Sequence, residues 1–212
     1  MYTLYWSPGG ANMAPHAVLE EIGAPHELRL VDFAKDEQRG AEYRRLNPNA
    51  RVPTLIHDGR PIWESAAILL YLCDRHPQAG LMPPVGTSEH GVFLQWIVYL
   101  TNTVQEELMH WWHADYYMDS EAGRDELKRV AERRLAEMLT RLDGVVAPYL
   151  LGERFSAADI FLVMLCRWTR AMAKPAVDWP NLRRCVDLVT ARPAWQRMMQ
   201  AEGLTWTGRI AG

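Results

Sequence analysis

The loop Ser7–His16 combines groups that can hold a negative charge at the start of a helix. Its sequence, SPGGANMAPH, follows the apolar run MYTLYW and precedes the amphipathic stretch AVLEEIG. The first N–H groups of a helix have no partner within that helix, so they attract an anion or a thiolate. The loop contains no cysteine, and Ser7 carries its one hydroxyl group. The candidate donors are therefore Asn12, Ser7, Tyr5 in the preceding strand, and the backbone N–H groups of residues 11–13.

Asn12 is the first choice among these donors because it lies where the helix is predicted to start. Its side-chain amide could donate to a bound anion, or its carbonyl oxygen could act as an ordinary helix N-cap. Ser7 precedes Pro8, so its role could be limited to shaping the turn. The Tyr5 ring lies inside the predicted strand, where packing is the simpler expectation.

A second candidate is the stretch NPNARVPTL, in which Val52 precedes Pro53 and must be extended. A cis Val52–Pro53 bond would turn the N–H and C=O of Val52 outward, where they could pair with an extended peptide. A trans bond would instead make Pro53 the first residue of an edge strand. The sequence leaves both alternatives open.

A third candidate is WESAAILLYL, in which Glu64 and Ser65 stand at the start of an apolar helix. The free N–H groups and the hydroxyl of Ser65 would suit a carboxylate, and Glu64 could accept from an ammonium group. The alternative is that both residues only cap the helix. Farther along, Ser156 and Asp159 in GERFSAADI form a capping-box pattern, to which we assign no catalytic role.

Composition is typical of a folded globular protein. The chain has 212 residues, of which 49% are hydrophobic and 23% charged, and its net charge of −3 gives no reason to expect nucleic acid as a partner. No apolar stretch approaches the ~20 residues of a membrane span, and the N-terminus lacks a signal-peptide pattern. We therefore expect no membrane association and a cytoplasmic location. The odd number of cysteines, in apolar contexts at Cys73, Cys166 and Cys185, predicts reduced core residues.

The elements that must position these residues fall into two groups. The first part alternates strands and helices in the order β-α-β-α-β-β-α, with strands at YTLYW, HELRLV, TLIH and RPIW. The Asp58-Gly59 pair between the last two strands predicts a hairpin. Residues 78–88 are rich in Pro and Gly and predict a linker. The remainder is predicted to be helical, with long helices over 90–113 and 127–142, a central buried helix in FSAADIFLVMLCRW, and two more within 180–191 and 192–202.

Together, RVP, ESAAI and GERFSAADI resemble three motifs of the cytosolic glutathione transferase family, in the family's order and over essentially the whole chain. In that family the first motif contains a cis-proline, the second holds the γ-glutamyl end of glutathione, and the third is a capping box in the helical domain. The opening YWSPGGANMAPHAVLEEIG most resembles bacterial beta-class members. Ala11, however, stands where beta-class proteins carry cysteine, which puts mixed-disulfide chemistry through a protein thiol in doubt.

The resemblance implies an α/β domain followed by an all-α domain. Residues 1–77 would be a thioredoxin-like glutathione-binding domain, residues 89–212 an all-helical substrate-binding domain, and the protein a cytoplasmic homodimer. Glutathione would be the co-substrate of a detoxification enzyme that conjugates it to apolar electrophiles. Asn12 and the N–H groups at the helix start would stabilise the thiolate. The predicted glutathione-binding residues are Val52, Pro53, Glu64 and Ser65, with Arg51 and Lys35 as candidates for the carboxylate at its glycine end.

The resemblance also places an apolar substrate pocket near the segment MHWWHADYY. The predicted pocket residues are Trp6, His110, Trp111, His113, Tyr116 and Tyr117, although some of these rings could be core or dimer contacts. His110 and His113 also invite a metal interpretation, but no carboxylate or cysteine has a convincing spacing, so we expect no metal site. Two alternative functions remain open: a glutathione-dependent disulfide or peroxide reductase, and a non-catalytic glutathione-binding dimeric module.

Overall fold

The computed structural model describes residues 1–206. These residues form two compact units, and the first is discontinuous in sequence: it combines Met1–Met82 with Ala191–Thr205, while the second contains Pro83–Thr190. The helices in chain order are α1 (Met13–Ile22), α2 (Ala41–Leu46), α3 (Ser65–Arg75), α4 (Ser88–Tyr99), α5 (Glu106–Trp112), α6 (Glu121–Asp143), α7 (Ala157–Trp168), α8 (Pro180–Thr190) and α9 (Pro193–Ala201).

A four-stranded sheet forms the centre of the first unit. Its strands are β1 (Tyr2–Trp6), β2 (His26–Leu30), β3 (Thr54–His57) and β4 (Arg60–Trp63), in the spatial order β2-β1-β3-β4. The central strand β1 runs parallel to β2 and antiparallel to β3, and β3 pairs with β4 in a hairpin. This mixed sheet with its helices confirms the thioredoxin-like fold that the sequence predicts.

Local signals in the sequence account for the ends of these elements. Gly23 ends α1 with φ of 64°, and its N–H donates to the carbonyl oxygen of Leu19. Asp58 and Gly59 both have positive φ, at 50° and 73°, which is the backbone of the tight turn that joins twisted antiparallel strands. The predicted stop signal and the predicted hairpin are both confirmed.

The second unit is all-helical, as expected. From Ser88 to Trp112 the helix is continuous, but its middle segment, Leu100–Gln105, is a π-helix that the apolar spacing did not reveal. Every residue of α7 is buried, which confirms the prediction of a central helix from its all-round apolar sequence. None of the helices within residues 1–206 combines the length and the apolar character that crossing a membrane requires.

The three cysteines are buried free thiols, as predicted. Burial raises the pKa of both Cys73 and Cys166 to about 12, and it raises the pKa of Cys185 further. Because a thiol reacts as its thiolate, none of the three is suited to nucleophilic chemistry.

The capping box before α7 is present and fully buried. The Asp159 carboxylate accepts hydrogen bonds from the Leu150 N–H at 2.8 Å, the Ser156 N–H at 2.8 Å and the Ser156 hydroxyl at 2.9 Å. Burial raises the pKa of Asp159 to about 6, and these hydrogen bonds oppose that rise. The carboxylate therefore fixes both the start of α7 and the preceding loop.

Replacing Asp159 with alanine would leave the buried N–H groups of Leu150 and Ser156 without a partner. Each such group costs about 1–3 kcal/mol, so D159A should lower the free energy of unfolding by about 2–5 kcal/mol in urea titrations. The matched variant S156A removes only a hydroxyl and should cost about 1 kcal/mol. Equal losses for the two variants would contradict this assignment.

Candidate functional site

The first unit brings the loop after β1, the turn before β3 and the start of α3 together. The Ser65 hydroxyl donates to the carbonyl oxygen of Ala11 at 2.8 Å, which joins the start of α3 to the loop. A Cβ atom placed on Gly10 would lie 3.3 Å from Cγ2 of Val52, which places the same loop against the turn. The three candidate stretches therefore lie next to one another.

Asn12 lies inside the loop with no exposed surface. Its side-chain oxygen accepts from the Ser7 N–H at 3.1 Å, and its Nδ2 donates to Oε1 of Glu202 at 2.8 Å. The side chain makes no capping hydrogen bond to α1. Asn12 therefore closes the loop from within, and its amide is not open to solvent.

Glu202 is the residue of this site that the sequence did not indicate. The residue is 3% exposed, its side chain is fully buried, and its carboxylate accepts from three groups: Nδ2 of Asn12, Nδ1 of His16 at 2.9 Å, and the Gly9 N–H at 3.3 Å. Glu202 follows α9, 190 residues after Asn12. No local pattern marks it, because its partners lie at the opposite end of the chain.

Several donors of the loop remain available to a ligand. Within residues 1–206, the Ser7 hydroxyl, the Ala11 N–H and the Tyr5 hydroxyl make no hydrogen bond, and all three residues are partly exposed. The N–H groups of Gly10 and Met13, in contrast, donate to carbonyl oxygens of the loop itself. The free donors are therefore the Tyr5 hydroxyl in β1, the Ser7 hydroxyl directly after β1, and the Ala11 N–H close to the start of α1.

The turn before β3 has the cis Val52–Pro53 bond, the first of the two alternatives. The carbonyl oxygen of Arg51 accepts from the Tyr43 hydroxyl at 2.7 Å and from Nδ2 of Asn47 at 2.8 Å. In the described part of the chain, neither the N–H nor the C=O of Val52 takes part in a hydrogen bond. Tyr43 and Asn47 thus hold the turn while the backbone of Val52 stays free for a partner.

The start of α3 combines an exposed carboxylate with a buried hydroxyl. Glu64 has φ of 74° and ψ of 118°, a conformation that is unfavourable for a side-chain-bearing residue, and its side chain makes no capping hydrogen bond. Such backbone strain costs about 1–3 kcal/mol and tends to occur at functional sites. Ser65 is buried and opens the helix. Glu64 is therefore available to a ligand, whereas the Ser65 hydroxyl already holds Ala11.

The two basic candidates differ in availability. Nζ of Lys35 lies 2.9 Å from Oδ2 of Asp32, and this hydrogen bond raises the pKa of the Lys35 ammonium group. Arg51 is exposed, and its guanidinium forms no ion pair within the described residues. Of the two, Arg51 is the more available to a ligand carboxylate.

In the second unit, the rings of the predicted pocket residues contact one another or a neighbouring ring in pairs. His113 stacks on Tyr116 with ring centroids 4.8 Å apart, and His110 meets the edge of Tyr117 at 4.5 Å. Tyr116 and Tyr117 are both exposed. Trp111 lies edge-on to its neighbour Trp112 at 4.9 Å and is partly exposed. Trp6, the remaining predicted pocket residue, belongs to the first unit and is partly exposed.

Trp112, the neighbour of Trp111, is held by contacts to a second helix. Its indole N–H donates to the carbonyl oxygen of Trp168 at 2.9 Å, and the guanidinium carbon of Arg170 lies 4.9 Å from its ring centroid. Both contacts tie Trp112 to α7 and the turn that follows it. Trp112 therefore packs against the central helix of its unit.

Two sequence families match the chain. Residues 1–74 match "Glutathione S-transferase, N-terminal domain", and residues 106–193 match "Glutathione S-transferase, C-terminal domain". A relative in Escherichia coli K12, named disulfide-bond oxidoreductase YfcG, is 28% identical; the match covers 95% of this chain and 96% of that protein.

Solved structures share the fold over nearly the whole chain. A beta-class glutathione S-transferase from Sphingomonas chungbukensis is 29% identical with a TM-score of 0.85, and the match covers 96% of this chain and 100% of that one. A sphingomonad glutathione S-transferase complexed with glutathione is 30% identical with a TM-score of 0.84, again over 96% and 100%. These matches confirm the family that the three motifs resemble.

The tight loop predicts that Gly10 cannot be enlarged without cost. A Cβ on Gly10 would lie 2.7 Å from Oδ1 of Asn12, an atom that is buried and held by Ser7. We expect G10A to lower the free energy of unfolding by about 1–3 kcal/mol, because the buried amide must move.

The control for this prediction is Gly91 in α4, where a Cβ would meet nothing within 4 Å. G91A should raise the free energy of unfolding by about 0.5–1 kcal/mol, as alanine does in helices. Chemical denaturation of both variants provides the comparison. A G10A variant as stable as the wild type would show that the loop is not held as described.

Proposed function

Since the chain belongs to the glutathione S-transferase family, we propose that it transfers the sulfur of glutathione to an apolar electrophile. The observation that carries this proposal is that three sets of groups available to a ligand lie next to one another. These are the donors of the Ser7–Ala11 loop, the unpaired backbone of Val52, and the strained Glu64 at the start of α3. The glutathione complex of the sphingomonad relative, with the same fold, supports it.

Each part of glutathione has a partner in this proposal. The N–H and C=O of Val52, beside Pro53, pair with the backbone of its cysteinyl residue, as a strand edge pairs with an extended peptide. Glu64 accepts from the ammonium group of the γ-glutamyl end, and the N–H groups that open α3 at Ser65 receive its carboxylate. Arg51 binds the carboxylate at the glycine end, and Lys35 is the second candidate for this role.

The reaction needs the thiol of glutathione as a thiolate. A free thiol has a pKa of about 8.5, and lowering it by about 2 units requires about 2.7 kcal/mol of selective stabilisation of the anion. The Ser7 hydroxyl and the Ala11 N–H supply the direct hydrogen bonds, and the start of α1 supplies a favourable dipole. Tyr5 is the remaining candidate for a direct donor.

Asn12 acts on the thiolate indirectly in this proposal. Its amide is buried, donates to Glu202 and accepts from the Ser7 N–H, so it fixes the residue that carries the hydroxyl. The burial of Asn12 thus favours Ser7 and Ala11 as direct donors. Asn12 is accordingly proposed as a positioning residue.

The thiolate attacks an electrophilic carbon, a C–S bond forms, and the leaving group departs with its electron pair. The thiol proton is released to solvent when glutathione binds as the thiolate. We propose that the rings of His110, Trp111, His113, Tyr116 and Tyr117 bind the electrophile through apolar contact. The proposal includes a cytoplasmic homodimer, in keeping with the family.

Steady-state rates decide between this reaction and its alternatives. A transferase should conjugate glutathione to a halogenated nitroaromatic faster than it reduces a glutathionyl disulfide. The opposite ratio would favour the reductase, an alternative supported by the disulfide-bond oxidoreductase relative. Failure to bind immobilised glutathione would contradict both enzyme functions and the glutathione-binding module alike.

The direct donor can be identified from the pKa of the thiol of enzyme-bound glutathione. If Ser7 donates, S7A should raise that pKa by about 1 unit and lower kcat/KM about tenfold below the wild-type pKa. The measurement is the pH profile of kcat/KM together with the thiolate absorbance of the bound tripeptide. S7T keeps the hydroxyl and should keep most of the rate.

Two comparisons make this prediction falsifiable. A shift in Y5F with none in S7A would identify Tyr5 as the donor. N12A should lower stability as well as activity, since it also frees the Glu202 carboxylate; a pKa shift in N12A at unchanged stability would restore Asn12 as the direct donor.

A further inference from the structure

A cluster of imidazole and carboxylate groups lies in the first unit on α1 and the start of β2. His16, Glu20 and His26 each offer one ligand atom, and these atoms lie within 4.8 Å of one another. His16 and Glu20 share one face of α1 because they are four residues apart. The His16 and His26 rings meet edge to face, with centroids 5.7 Å apart.

His16 has the arrangement of a metal-binding histidine. Its Nδ1 lies 2.9 Å from Oε1 of Glu202, and since a carboxylate accepts, Nδ1 carries the proton. When the imidazole is neutral, Nε2 is then an acceptor, and within residues 1–206 this buried atom has no hydrogen-bond partner. A buried polar atom without a partner costs about 1–3 kcal/mol, so a ligand bound at Nε2 would stabilise the folded protein.

His26 and Glu20 are prepared in the same way. Nδ1 of His26 donates to the carbonyl oxygen of Ala24 at 2.8 Å, which leaves its Nε2 free, 3.7 Å from Oε1 of Glu20. Oε2 of Glu20 accepts from Nε of Arg197 at 2.6 Å, so Oε1 is the oxygen left for the cluster. Each of the three side chains is thus oriented by a hydrogen bond at its other polar atom, as ligands of metal sites are.

We propose that His16 Nε2, His26 Nε2 and Glu20 Oε1 bind a divalent transition-metal ion such as Zn²⁺. Two imidazoles and one carboxylate suit Zn²⁺ and its first-row neighbours, and a water molecule would complete four-coordination. The side chains of His26 and Glu20 are 13% and 19% exposed, which gives the ion a way in from solvent.

Charge and distance both permit such an ion. Glu20 and Glu202 contribute two negative charges, against one positive charge from Arg197, so a dication is attracted overall. Tetrahedral ligands at about 2.1 Å from Zn²⁺ lie about 3.4 Å apart. Because the ligand atoms lie within 4.8 Å of one another, the cluster must contract by at most about 1.4 Å, which side-chain rotation can provide.

This site is distinct from the pair His110 and His113, whose spacing in the sequence invites a metal interpretation. His110 lies 3.7 Å from carboxylate oxygens of both Glu106 and Glu107, but no second imidazole joins that group within the described residues. The proposed site also touches the loop through Glu202, which accepts from both His16 and Asn12. An ion bound to Nε2 of His16 would therefore help to fix the orientation of the imidazole ring, whose Nδ1 donates to Glu202.

The test is titration of chelator-treated full-length protein with Zn²⁺ in the absence of glutathione, whose own thiol binds the metal. Calorimetry should show one saturable site per chain, and Zn²⁺ should raise the melting temperature. Co²⁺ in its place should give the visible absorption of a tetrahedral centre. E20Q and H26Q should each weaken Zn²⁺ binding at least tenfold. Changes at metal sites typically lower metal affinity by about 10–100-fold.

The matched control is H110Q, which removes an imidazole that also lies beside carboxylates and should leave the Zn²⁺ affinity unchanged. E20Q and H26Q alter partly exposed side chains, and circular dichroism verifies that they fold. Absence of saturable binding in the wild type would overturn the proposal. So would binding that E20Q and H26Q retain and H110Q loses.

Discussion

The buried carboxylate of Glu202 is the interaction on which the site in the first unit depends. A fully buried charge is costly unless its oxygens accept hydrogen bonds, and here Asn12, His16 and Gly9 donate them. The same three hydrogen bonds fix the loop after β1. The free hydroxyl of Ser7 and the free N–H of Ala11 thus have defined positions because a residue from the other end of the chain holds their neighbours.

The architecture could be predicted from local patterns because its elements have local causes. Gly23 ends a helix, Asp58-Gly59 turns a hairpin, and an apolar sequence on all sides buries α7; each signal lies within the element that it determines. The π-helix at Leu100–Gln105 escaped prediction because the apolar spacing on either side of it reads as one helix. The site motifs were found because they are short and continuous.

What the sequence could not supply was the environment of those motifs. From the sequence, Asn12 is an available amide donor. Only the fold reveals that its Nδ2 already donates to Glu202. Tyr43 and Asn47 show no pattern that connects them with Val52, yet both hold the carbonyl oxygen of the preceding residue. Likewise His16 and Glu20 have helix spacing, but the return of the chain at β2 brings His26 to them. Long-range partners decide which groups are free, and spacing alone does not reveal them.

The discontinuity of the first unit limits how this chain could be recombined. Met1–Met82 contains the whole sheet and all three candidate stretches, but the carboxylate that organises the loop arrives with Ala191–Thr205. A chimera that exchanged only the N-terminal half with a relative would combine the relative's loop with the Glu202 of this chain. The loop and the carboxylate that must hold it would then come from two different proteins. The two ends of the chain are therefore constrained to change together, and the natural unit of exchange is this pair of segments.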